Sequence, residues 1–167
     1  FLLEMKRIDC FLPFVDDSQV AETAANLKAE REVAKVEMIP ASSFKSTSSM
    51  RVAASRAEAP FVMLYTKTTP LSFGKFALER MLSIAEDTAA SMVYSDHIKE
   101  ICGERVFAPV IDCQEGALRD DFDFGSVLLY RTAALLQAIS RMTETYRYRV
   151  GNDFPDIGPE GGGLKDG

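Results

Sequence analysis

Three short stretches of this chain carry side chains whose types and spacing could do chemistry. Thr66-Lys67-Thr68 follows the apolar run Phe61–Tyr65, and Ser95-Asp96-His97 follows Met92-Val93-Tyr94. An aspartate beside a histidine can hold a divalent ion or pass a proton. Lys67 places an ammonium where a buried run ends, a position from which it can meet a phosphate. Further on, Arg119-Asp120-Asp121-Phe122-Asp123 packs three aspartates into four residues. Such acids can serve as metal ligands or as a general base. The chain has one histidine, which excludes a His-rich metal centre. No serine sits in a nucleophile elbow, which excludes triad hydrolysis.

These residues need elements to position them. Phe61–Tyr65 has the pattern of a strand buried on both faces. Thr69 then offers an N-cap and Pro70 a first helical position, with Phe73, Phe76, Ala77, Met81, Ile84 and Ala85 as the apolar face. Met92–Tyr94 is the next strand, and strand, helix, strand reads as a right-handed parallel unit. Ligands of such sheets bind beyond the carboxyl ends of the strands. That puts Thr66–Thr68 and Ser95–His97 on one rim.

Before this unit, Ile8–Phe14 reads as the first strand. A helix follows, capped by Asp17 or Ser18, with Val20, Thr23, Ala24 and Leu27 facing inward. Residues 34–39 suggest a second strand closed by Pro40, and a hydroxyl-rich loop leads to a helix through Met50, Val52, Ala53 and Ala57. After His97, Gly103 marks a hairpin between Ile98–Cys102 and Arg105–Phe107. Pro109–Cys113 suggests a short strand, and Ser126–Tyr130 a buried strand or the start of a helix. The expected fold is α/β, three layers (α/β/α) around a mainly parallel central sheet, over residues 1–149. Residues 150–167 are rich in Gly and Pro and read as a tail leading into a further C-terminal part.

Bulk properties narrow the function. A chain of 167 residues, 47% hydrophobic, can bury one substantial core. A net charge of −6 argues against a nucleic-acid surface. Three cysteines without a CxxC read as reduced thiols of a cytoplasmic protein. No apolar run reaches membrane-helix length, so membrane contact is expected to be peripheral at most. Asp16-Asp17 after the first strand is similar to the paired acid of a phosphorylatable receiver domain. The acceptor aspartate that should end the third strand is replaced by Thr66 and Lys67, which leaves a receiver-like signalling module as the lowest-ranked reading.

The segments IDCFLPFVDDSQVAETAANL, SFKSTSSMRVAASRAEAPFVMLYTK, MVYSDH and DFDFGSVLLYR together resemble a family 2 glycosyltransferase of the GT-A fold. The resemblance covers roughly residues 7–140. FALERM, MVYSDH and LRDDFDFGSVLLY also resemble a group of Bacteroides-type glycosyltransferases. It implies a nucleotide-diphosphate sugar as donor and a surface polysaccharide or glycolipid as acceptor. Pro13, Phe14 and Asp16 would contact the nucleoside, and Ser46 and Thr47 keep a hydroxyl pair. Thr66, Lys67 and Asp96 would complete the nucleotide-sugar site, with Asp121 and Asp123 as catalytic acids on the acceptor side. Mn2+ or Mg2+ on Asp96 and His97 is the implied cofactor. The family's DxD metal motif should end the strand at Tyr65, but Thr66-Lys67-Thr68 stands there. This leaves two alternatives: a metal-independent enzyme, or a non-catalytic nucleotide-sugar-binding or scaffolding domain.

Overall fold

A computed structural model describes residues 7–14, 18–40, 47–110 and 123–142. Its elements are β1 (Ile8–Phe14), α1 (Ser18–Ala29), β2 (Val33–Pro40), α2 (Thr47–Arg56), β3 (Phe61–Tyr65), α3 (Ala77–Asp87) and β4 (Met92–Tyr94). There follow β5 (His97–Ile101), β6 (Glu104–Ala108), β7 (Val127–Arg131) and α4 (Thr132–Arg141). Five strands form one sheet in the order β2-β1-β3-β7-β4, and β5 and β6 form a separate pair.

The class is α/β as expected, but the sheet is mixed rather than shown to be mainly parallel. β1 pairs in parallel with β2 and β3, whereas β7 runs antiparallel to both β3 and β4. β3 and β4 therefore point the same way without touching, because β7 lies between them. The apolar run Val127–Tyr130 reads identically in either direction, so composition alone could not set its polarity. The strand alternative for this segment is the one realised.

Both faces of the sheet are covered. Alternate residues along β1 and β3 go to opposite sides. Ile8, Cys10, Leu12, Phe61, Met63 and Tyr65 join Val20, Ala24 and Leu27 of α1 and Leu78, Met81, Leu82 and Ala85 of α3 in one cluster. Phe11, Val62 and Leu64 join Ala53 and Ala54 of α2 and Leu135 and Ile139 of α4 in the other. Burying one such Leu, Ile or Phe contributes about 1.5–3 kcal/mol. Cys10 is buried in the first cluster, where burial raises its thiol pKa and keeps it inert. Pro40 is the last residue of β2, as expected, and that strand is at the sheet edge, where a missing N–H is tolerated.

The third helix starts later than its sequence suggests. Residues 66–76 lie across the sheet end without helical structure. The Leu71 amide donates to the Thr23 hydroxyl of α1 at 2.9 Å, and Leu71 and Phe73 pack on the first cluster. Thr69 does not cap; its carbonyl accepts the buried Tyr65 hydroxyl at 2.8 Å. Phe76 adopts φ 63°, precedes the first helical residue and is 62% exposed. The inward face is therefore Leu78, Met81, Leu82 and Ala85, and Ile84 is exposed. The spacing of three and four residues holds, with its phase rotated. Pro109 and Val110 are not in a strand. Among the described residues no helix is long and apolar enough to cross a membrane.

Candidate functional site

The carboxyl ends of β3 and β4 and the start of the reversed β7 share one rim, since Tyr65 pairs with Val127 and Tyr94 with Leu128. The Thr66 amide continues the β3–β7 ladder, donating to the Ser126 carbonyl at 2.9 Å. The Thr66 hydroxyl donates to the same oxygen at 3.3 Å. This clamp fixes where the next residue, Lys67, leaves the sheet.

Opposite it lies a turn centred on Gly125. Asp123 Oδ1 accepts the Gly125 amide at 2.8 Å, and Gly125 has φ +84°, which an L side chain rarely adopts. A Cβ on Gly125 would lie 3.5 Å from the Ser95 carbonyl and 3.6 Å from His97 Nδ1. The turn therefore sits directly against the Ser95-Asp96-His97 segment. Tyr94 and Phe124 brace it edge to face, with ring centroids 5.2 Å apart. Asp96 Oδ1 accepts the Val110 amide at 2.6 Å, tying the chain beyond β6 back to the rim.

His97 is at the centre. Among the described residues neither of its buried ring nitrogens has a hydrogen-bond partner. Burial is the main reason its pKa lies below the usual 6.5, and the positive charges of Lys99 and Lys67 push it further down. Asp123 and Asp96 act the other way. The charges of Lys67, Lys99, Asp96 and Asp123 are thus all felt at this one imidazole, whose neutral form is favoured. Such a ring offers one donor and one acceptor at once.

The sequence-predicted residues thus divide. Thr66, Lys67, Asp96, His97 and Asp123 come together at one rim. Pro13 is buried near the end of β1, and Phe14 at its tip is exposed. Thr47 is buried at the start of α2. Asp16, Ser46 and Asp121, with Asp120, lie outside the described residues. The sequence reading gives Gly125 and Ser126 no role in the site. A glycine flanked by aromatics and acids, just before an apolar run, was the available signal for a rim turn.

Among the described residues no group of three or more His, Cys, Asp or Glu side chains stands together as metal ligands would. Two of the charges influencing His97, Lys67 and Lys99, would also repel a cation. The arrangement offers a mixed rim: an ammonium for an anion, carboxylates for hydroxyls or a proton, and a neutral imidazole. No family model, curated protein or solved structure matches this chain.

Proposed function

We propose that this domain binds a nucleotide-diphosphate sugar across the carboxyl-end rim of its sheet and passes the sugar to a glycan or glycolipid acceptor, as a GT-A glycosyltransferase of cytoplasmic, bacterial surface-polysaccharide synthesis. The carrying observation is the convergence of Lys67, Asp96, His97 and Asp123, from three separated segments, around the Gly125 turn. Further support comes from helices packed on both sheet faces and from the family resemblance of the segments forming the rim.

In this reading exposed Phe14 offers its ring to the base, with Pro13, Asp16, Ser46 and Thr47 around the nucleoside. Thr66 holds Lys67 against the diphosphate. Asp96 and His97 meet sugar hydroxyls. Asp123, with Asp121, takes the proton from the acceptor hydroxyl as that oxygen bonds to the anomeric carbon and the bond to the diphosphate breaks. The leaving diphosphate gains negative charge, and Lys67 supplies the compensating positive charge. Mn2+ or Mg2+ on Asp96 and His97 is the alternative source of that charge, and no step here depends on it.

Thermal-shift measurements against nucleotide diphosphates and their sugars, with and without manganese, test the binding. A ligand specific for the folded state raises the melting temperature. The replacement of the metal motif by Thr66-Lys67-Thr68 favours one second reading, a nucleotide-sugar-binding domain without turnover. Donor hydrolysis or transfer in a panel of sugar nucleotides separates the two, since the binding module stabilises with the ligand but releases no nucleotide.

A further inference from the structure

The β5–β6 hairpin carries an exposed, self-complementary face. Among the described residues the two strands pair only with each other, and neither joins the five-stranded sheet. A lone two-stranded hairpin is marginal in water unless something packs on it. Yet this one holds four large exposed apolar side chains: Ile98 at 61%, Ile101 at 55%, Val106 at 46% and Phe107 at 63%. Clusters of this kind mark interaction surfaces. The register sorts them by face, because side chains alternate along a strand. Ile98 is directly opposite Phe107, and Glu100 directly opposite Arg105, so these four share one face. His97, Lys99, Val106 and Ile101 belong to the other, so the first face carries two of the four apolar side chains, Ile98 and Phe107, and His97 ties the second to the rim turn.

We infer that the face bearing Ile98, Phe107, Glu100 and Arg105 is where a second copy of this chain docks. The charge pattern selects that occupant. Lay one hairpin face on another with a twofold axis running along the strands, and β5 of each copy covers β6 of its partner. Glu100 of each copy then meets the other's Arg105, and Ile98 meets Phe107. An isologous contact needs a patch that complements itself in this way. The charged pair sums to zero, which gives an anionic membrane or nucleic acid no electrostatic attraction to this face. The tip suits a projecting element: Cys102 and Gly103 both have positive φ, the backbone of a tight two-residue hairpin turn. The contact is small, so a dissociation constant on the order of micromolar is expected. This inference does not depend on what the rim binds.

Sedimentation velocity of the whole chain over a wide concentration range tests it. The expected result is a monomer–dimer equilibrium that Phe107→Asp weakens by about 30-fold or more, the scale of losing an interface anchor. Circular dichroism must match the unsubstituted protein. Two charge variants separate docking from hairpin folding. Arg105→Glu makes the face wholly acidic and Glu100→Arg makes it wholly basic, so each alone should be monomeric. Mixed in equal amounts, they should form a heterodimer, although each hairpin still lacks its own cross-strand pair. The inference is overturned if the unsubstituted chain stays monomeric at its solubility limit, or if Phe107→Asp leaves dimerisation intact. Failure of the mixed variants to associate also overturns it. So does a monomer that floats with phosphatidylcholine–phosphatidylglycerol vesicles through Phe107, which would make the patch a membrane contact.

Discussion

The two ends of the sheet are built from similar residues and use them differently. At the amino ends of the strands, Asp9 is buried, and its Oδ2 accepts the amides of Glu58 at 2.7 Å and Ala59 at 2.9 Å. Lys35 Nζ is 3.8 Å from that carboxylate. Arg7 pairs with Glu86, and the guanidiniums of Arg7 and Arg131 lie 5.6 Å and 5.2 Å from the centre of the Phe61 ring. Arg131 also donates to the Ala85 carbonyl at 2.7 Å. Every one of these polar groups holds a chain segment in place. At the carboxyl ends Asp96 and Asp123 also accept backbone amides, but by contrast the buried His97 nitrogens have no partner among the described residues. A polar group engaged in structure is unavailable to a ligand, and one held but not engaged is available. For His97 that distinction supports the site proposed at the carboxyl end.

Removing Asp9 should have the largest effect on stability. Asp9→Ala leaves two amides unsatisfied beside the core, at a cost of about 3 kcal/mol in chemical denaturation. Ligand-induced stabilisation at the other rim should survive at a temperature where the variant is folded. A variant that is fully stable, or that loses ligand response while folded, would erase the contrast between the ends.

Gly125→Ala comes next. The positive φ costs an L residue about 1–2 kcal/mol. Because the turn abuts Ser95 and His97, ligand response should fall along with stability. A weaker response from Gly74→Ala, where a Cβ would meet nothing within 4 Å, is the internal control.

Arg7→Ala should cost less, about 0.5–1 kcal/mol, since its ion pair with Glu86 is solvent-screened and its stacking on Phe61 is partial. It should leave binding untouched. A loss of binding would move the site.

The pH dependence of stability gives the finest test. The folded pKa of His97 lies below the ordinary value of 6.5, so the unfolded chain binds the proton more readily. Stability from this group is complete above about pH 6.5 and declines as pH falls through the folded pKa. His97→Gln cannot titrate, so denaturation curves between neutral and mildly acid pH should lose that part of their slope. An unchanged slope means the imidazole is not held neutral by its surroundings.

Much of this was legible in residues and some was not. The cores of β1 and β3, the inner face of α1 and the Gly103 hairpin follow from periodicity and turn chemistry. They were expected where they occur. So was the shared rim of Lys67, Asp96 and His97, because it depends only on which ends of parallel strands coincide. The start of α3 was misplaced, since Thr69-Pro70 carries a start signal that the Tyr65 hydroxyl and the Thr23 hydroxyl override through tertiary contacts. Phe76 was misplaced with it, from an inner helical face to an exposed left-handed turn. The reversal of β7 could not be read, because strand direction leaves no mark on a short apolar run. Without that reversal, neither Gly125 nor Asp123 would reach His97.

The most direct test of the rim assignment is calorimetric titration of nucleotide diphosphates and their sugars in EDTA, comparing the unsubstituted chain with Lys67→Ala. Lys67 directly follows the clamped Thr66 at the end of β3 and can oppose diphosphate charge without a metal. Binding should persist in EDTA and weaken by roughly 1.5–3 kcal/mol in the variant, about 10- to 150-fold, the scale of a charged hydrogen bond. Its thermal stability should hardly move, since Lys67 is only partly buried. Binding that requires manganese, or that is indifferent to Lys67→Ala, contradicts the account.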